Sequence, residues 1–200
     1  ANIKIATGDL NSDGKEDLII SSYKAAEWGS FATTPYAKID YDIYYQKSSN
    51  GVVLFLNDTL ALPYDGQYGR ANICIHDVDK DGLNDIFLGD LYHLKYYRNV
   101  GTTAKPAFDT AICDSVINNK DIYEFSNAFN YVPSVWKNPS DNLEYLIFAY
   151  EFYGGKIGKA LIDTQKLAAN KSLDIVTQNL YPNYSLNQYP TIQIKDVTAD

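Results

Sequence analysis

Short apolar runs recur along this chain, each entered from an acidic or Asn/Gly-containing turn. Asp17-Leu18-Ile19-Ile20, Asp85-Ile86-Phe87-Leu88 and Tyr145-Leu146-Ile147-Phe148-Ala149 are the clearest. They are too short, and too rich in branched and aromatic side chains, for helices, so they read as strands. Extending the reading gives four strands per repeat. In the first repeat they are expected at about 2–8, 17–22, 51–57 and 59–63, with a long insertion, Tyr23 to Ser49, between the second and third. In the second they are expected at 71–76, 85–90, 93–98 and 107–113, with turn residues such as Asn99 and Gly101 between them. In the third they are expected at 132–137, 143–150, 156–162 and 172–178, and Thr164 to Asn170 is expected to make one helical turn.

An acidic motif sets the phase of these runs. Asp77-Val78-Asp79-Lys80-Asp81-Gly82-Leu83-Asn84-Asp85 repeats Asp9-Leu10-Asn11-Ser12-Asp13-Gly14-Lys15-Glu16-Asp17, and a third copy starts at Asp196 and is cut at Asp200. From Asp9 to Asp77 is 68 positions, and from Asp77 to Asp196 is 119, close to two periods. A degenerate copy is therefore expected midway. Pro133 to Lys137 supplies its first strand and Asn138 to Asn142 its loop, giving spacings of 68, 61 and 58. This copy lacks acids at its first and third positions, and Asp141 is out of phase, so no cation is expected there. Four antiparallel strands per repeat make a β-propeller blade. The expected fold is all-β, with blade 1 at about 1–70, blade 2 at 71–131, blade 3 at 132–190 and a further blade starting at 191–200. Three blades are too few to close a ring, since propellers take about four to eight. The chain is expected to be an arc of a larger propeller, with further blades or domains beyond it. A stand-alone three-repeat solenoid is the alternative, and it would expose an apolar flank.

The motif places oxygen donors at alternate positions of a tight loop, with glycine sixth, where the sharp turn disfavours a Cβ. Such a loop suits Ca²⁺, which takes six to eight oxygen ligands. An EF-hand is excluded. Its position-twelve acid is replaced by Ile20 and Leu88, and a strand follows where a helix should. The same acid is missing for a dockerin. The D-x-[DN]-x-D-G-x-x-D loop followed directly by a strand resembles the calcium loop of FG-GAP/VCBS-type β-propeller repeats, found in integrin α-subunit heads and secreted bacterial proteins. Tyr96 to Thr102 and Pro106-Ala107-Phe108 are similar to that family's third strand, turn and fourth strand. Two Ca²⁺ sites are expected. The first uses the side chains of Asp9, Asn11, Asp13 and Asp17 and the carbonyl of Lys15. The second uses Asp77, Asp79, Asp81 and Asp85 and the carbonyl of Leu83. The resemblance implies the same positions. The competing reading is an acidic turn without metal, and it leaves clustered carboxylates repelling one another.

Composition narrows the partners. The 200 residues carry a net charge of -8, which excludes the basic face that nucleic acid needs. No apolar run is long enough for a membrane-spanning helix, so membrane insertion is not expected. Met is absent even at position 1, and a processed or excised piece is expected. Cys74 and Cys113 belong to a first and a fourth strand, roughly 14 Å apart at about 4.8 Å per strand, so they are read as free thiols. His76 and His93 are the only histidines, and neither sits in a catalytic spacing. Tyr is abundant at 18 residues. The insertion carries Trp28, Tyr36, Tyr41, Tyr44 and Tyr45, on the face expected to lie opposite the cation loops. Flat rings with polar tips suit a glycan or protein ligand, although packing between blades is the equal alternative. Two functions follow as expectations. One is a secreted or cell-surface, calcium-stabilised binding or adhesion module for a glycan or extracellular protein. The other is the non-catalytic or substrate-lining part of a secreted polysaccharide-active enzyme.

Overall fold

The computed structural model describes residues 3–23, 39–49, 52–59, 72–90, 93–109, 116–117, 129–151, 155–169 and 172–177. These residues form three antiparallel sheets and one short helix. The first sheet has the order β1 (Ile3–Gly8), β2 (Asp17–Tyr23), β3 (Ile39–Ser49) and β4 (Val52–Thr59). The second is β5 (Asn72–His76), β6 (Asp85–Gly89) and β7 (Leu94–Tyr97). Beyond β7, Asn99 forms an isolated antiparallel bridge with Phe108 at the place of the expected fourth strand. The third sheet is β8 (Phe129–Lys137), β9 (Glu144–Glu151), β10 (Gly155–Leu161) and β11 (Ile175–Thr177), with helix α1 (Thr164–Ala168) between its last two strands. Among the described residues, no helix is long and apolar enough to cross a membrane.

The sheets lie against one another through their first strands, β1 on β5 and β5 on β8. This layering explains the apolar runs. Leu10, Ile19, Ile86, Leu88 and Tyr97 fill one core, between the first and second sheets. Phe87, Tyr96, Tyr131, Leu146, Phe148 and Tyr150 belong to the other, between the second and third. Alternate residues of β6 thus serve opposite cores, and Asp85-Ile86-Phe87-Leu88-Gly89 is buried throughout. By contrast β1 alternates, leaving Ile3 and Ile5 at 60% and 65% exposure on the flank away from the second sheet. Gly89 lets two sheets meet closely, because a Cβ there would strike the Tyr131 carbonyl and the Pro133 ring. Pro133 is tolerated because β8 is the edge strand of its own sheet and is paired on one side alone, by β9.

Two sequence expectations need correction. The first repeat's third strand is β3, Ile39–Ser49, inside the stretch read as an insertion, and 52–59 is the fourth strand. The connection between β2 and β3 therefore shrinks to 24–38. Ser49 pairs with Val52 where β3 meets β4, and the sequence between them, Asn-Gly, is the strongest two-residue hairpin signal. The third sheet also starts three residues early, at Phe129, through a register shift between Phe129 and Val132 that includes Asn130 at φ 56°. The helical turn at Thr164 forms, capped by Asp163 Oδ1 accepting from the Gln165 and Lys166 N–H groups. Cys74 is a free thiol on β5, pushed up to about 11 by burial, while Cys113 lies outside the described residues.

Candidate metal centre

The loop from Asp77 to Asn84 joins β5 to β6, and its own acids shape it. Gly82 N–H donates to Asp77 Oδ2 (3.1 Å), Asp81 N–H to Asp79 Oδ1 (3.3 Å) and Leu83 N–H to Asp81 Oδ1 (2.9 Å). Val78 N–H donates to Asp85 Oδ2 (3.1 Å). The Asp79 and Asp81 bonds close two successive Asx-type turns. Lys80 (φ 62°) and Gly82 (φ 88°) are left-handed, a conformation that costs a non-glycine residue roughly 1–2 kcal/mol. The loop from Asp9 to Glu16 repeats this path position by position. Gly14 N–H donates to Asp9 Oδ2 (2.7 Å), Asp13 N–H to Asn11 Oδ1 (3.1 Å), Lys15 N–H to Asp13 Oδ1 (3.0 Å) and Leu10 N–H to Asp17 Oδ2 (2.9 Å). Ser12 (φ 54°) and Gly14 (φ 84°) match Lys80 and Gly82.

Among the described residues, one group of three carboxylates converges as a metal site would require. Asp77, Asp79 and Asp85 each place an oxygen within 4.8 Å of the others. Asp85 is fully buried and held from both sides. Its Oδ1 accepts from Asn99 N–H (2.8 Å), and its Oδ2 accepts from Val78 N–H and from Tyr96 O–H (2.8 Å). Burial pushes the Asp85 carboxyl up to about 6, against the pull of those donors. Burial and the Asp85 carboxylate together push the Tyr96 phenol up, so it remains a donor. Asp77 Oδ1 is buried with no hydrogen-bond donor. Arg98 pairs with Asp79, but the Asp77 oxygen lies beside two more carboxylates with no donor of its own. A hard cation fits that lack, since every side-chain donor present is oxygen.

The remaining expected ligands are placed as follows. Asp81 lies outside the converging group, with Oδ2 3.1 Å from Arg98 Nη2. Leu83 is half-buried at the seventh position. In the first loop Asp17 is fully buried, like Asp85. Asp9 gives both oxygens to backbone donors, Asp13 N–H and Gly14 N–H. Asn11 caps Asp13 N–H, and half-buried Lys15 pairs its Nζ with Asp13 Oδ2 at 2.9 Å. That bond from Lys15 holds the Asp13 carboxyl below its usual range.

No protein family, curated protein or solved structure was found to match this chain. The chemistry of the loops therefore rests on their own residues.

Several participants carry no local signal in the sequence. Tyr96, Arg98 and Asn99 reach the second loop from the end of β7. Ser12 Oγ donates to the Gly82 carbonyl (2.8 Å) and Asn84 Nδ2 donates to the Asp9 carbonyl, clasping the two loops together. On the other side Lys80 Nζ donates to Glu144 Oε1 (2.8 Å), and His76 Nε2 is 3.1 Å from Glu144 Oε2. Burial opposes ionisation of Glu144, but Lys80 and His76 outweigh it and hold the carboxyl below its ordinary value. His76 thus joins two sheets. In the third repeat the connection from Lys137 to Glu144 is two residues shorter than in the others, and Asp141 accepts from Leu143 N–H and Tyr145 O–H.

The aromatic candidates do not share one loop. Tyr41, Tyr44 and Tyr45 belong to β3, opposite Ser21, Leu18 and Leu56 respectively. Trp28 and Tyr36 lie outside the described residues.

One substitution separates scaffold from metal. Asp85→Ala removes the acceptor of Val78 N–H, Asn99 N–H and Tyr96 O–H, and should cost about 3 kcal/mol or more even in chelator. Denaturant unfolding in EDTA checks it. An effect confined to Ca²⁺-containing buffer would contradict this scaffold role for Asp85.

Proposed function

We propose that the chain is a run of Ca²⁺-stabilised β-propeller blades of the FG-GAP/VCBS type, serving as a secreted or cell-surface binding or adhesion module. The observation that carries the metal reading is the convergence of Asp77, Asp79 and Asp85 with an undonated oxygen on Asp77. Ca²⁺ suits the set because the donors are hard, anionic oxygens on a loop able to add backbone carbonyls. Asp77, Asp79, Asp81 and Asp85 with the Leu83 carbonyl would hold one ion. Asp9, Asn11, Asp13 and Asp17 with the Lys15 carbonyl would hold a second. Bound there, the ion neutralises buried charge and pins the turn between a first and a second strand. Two four-stranded meanders and a three-stranded one between them, meeting through their first strands, support the propeller reading.

Both matched loops sit at the same end of their sheets, clasped by Ser12 and Asn84. β2 leaves that end at Asp17 and finishes at Tyr23, roughly 20 Å away at about 3.3 Å per residue. Tyr23 and its partner Ile39, which flank positions 24–38 in the sequence, therefore lie at the opposite end. That end is the proposed receptor for a glycan or an extracellular protein. Glycan-array screening in Ca²⁺ buffer tests this, with Trp28→Ala alongside. The expected result is a retained glycan whose signal falls at least about tenfold in the variant, the loss that follows removal of a buried aromatic anchor. Equal binding by both proteins would remove Trp28 from the site.

A further inference from the structure

Arg98 holds two of the carboxylates that the cation needs. Its Nε is 2.5 Å from Asp79 Oδ2, and its Nη2 is 3.1 Å from Asp81 Oδ2. Asp79 belongs to the converging group; Asp81, the acid at the motif's fifth position, does not. The first loop carries the same device in reduced form, where Lys15 Nζ takes the fifth-position acid Asp13. Arg98 is fixed at its backbone, because its carbonyl accepts from Asp109 N–H (3.0 Å) at the end of β7. Its side chain has room to move. A cleft of about 280 Å³ opens beside it, lined by Asp79, Tyr96, Arg98, Thr164, Gln165 and Leu167 among others.

We propose that Arg98 is a tethered counter-ion, which bridges Asp79 and Asp81 in the cation-free chain and gives them up to Ca²⁺, swinging into the cleft between β7 and α1. The inference rests on the cation reading of the 77–85 loop and adds its regulation. Both charges compete for the same oxygens. A guanidinium spans two carboxylates through separate nitrogens, whereas one Ca²⁺ draws both inward with Asp77 and Asp85. Removing the arginine should strengthen cation binding and weaken the cation-free protein. An arginine that merely packs would change neither affinity nor the calcium dependence of stability. In the released position the guanidinium would lie in the cleft that Thr164 and Gln165 line.

The test uses the whole chain and Arg98→Gln, which keeps a polar side chain and removes the charge. Ca²⁺ titration calorimetry is run on both in an Asp13→Ala background, so that the second loop alone reports. The expected result is about fivefold tighter Ca²⁺ binding by Arg98→Gln, the scale set by exposed ion pairs. Melting should show the matching pattern, with Arg98→Gln lowering Tm in EDTA and leaving it unchanged in saturating Ca²⁺. Equal or weaker Ca²⁺ binding by the variant overturns the counter-ion role while leaving the cation site standing. An equal loss of Tm in both buffers also overturns it. Absence of Ca²⁺ uptake by the parent protein removes the cation reading, and this inference with it.

Discussion

Gly89→Ala should destabilise the protein by about 3 kcal/mol or more, among the largest effects available to a single added methyl group. The new Cβ would meet the Tyr131 carbonyl, the Tyr131 carbonyl carbon and the Pro133 ring. Two of these atoms are backbone, and Tyr131 N–H is itself tied to the Asp90 carbonyl (3.0 Å). No rotamer change relieves such a contact, so β6 and β8 must separate. The core they share contains Phe87, Tyr131, Phe148 and Tyr150. The Tyr131, Phe148 and Tyr150 rings lie 5.8–6.4 Å apart, and loosening them forfeits dispersion contacts as well as buried area. Chemical denaturation measures the loss. Val100→Thr, on an exposed turn residue, serves as the control and should stay within about 0.5 kcal/mol of the parent. A Gly89→Ala protein as stable as the parent would mean that the sheets do not meet as described.

Calcium should raise the melting temperature of chelator-treated protein by roughly 5–10 °C. At a free ion concentration about a hundredfold above Kd, one site adds about 2.7 kcal/mol. For a chain of this size each kcal/mol moves Tm by roughly 2–4 °C. The gain originates in the second loop, where ionised Asp85 is buried and Asp77 Oδ1 has no donor. Asp81→Ala should lose the second loop's share of this calcium-dependent gain and little of the stability in EDTA, because Asp81 is exposed and serves Leu83 N–H and Arg98. This response separates it from Asp85→Ala, which should be weak in either buffer. Magnesium should do less, since it retains water and demands a tighter octahedron. A Tm indifferent to both ions would leave the cluster as an acidic turn.

The first-to-second hairpins were legible in the sequence because their signal is local. The ninth-position acid, the sixth-position glycine and the apolar run after them all lie within twelve residues, and both loops have the expected left-handed glycine. The position of β3 was hidden by composition. Ile39-Asp40-Tyr41-Asp42-Ile43-Tyr44-Tyr45 alternates in steps of two, but its many tyrosines and acids drew it into a reading as a recognition loop. Asn50-Gly51 marked the true hairpin. What surrounds the carboxylates was not legible. Arg98, Tyr96 and Asn99 reach Asp79, Asp81 and Asp85 across 11 to 19 positions, and Lys80 reaches Glu144 across 64. No spacing rule links such pairs; they follow from β7 lying beside β6 and from the third sheet lying against the second. The same geometry makes Asp81 a partner of Arg98, which the motif alone assigned wholly to the cation.

Calorimetric titration of chelator-stripped protein with Ca²⁺ tests the central claim most directly. Saturable uptake is predicted, with one ion at Asp77–Asp85 and one at Asp9–Asp17, and with Asp81→Ala retaining only the ion at Asp9–Asp17. No heat of binding and no ion retained after gel filtration would contradict it.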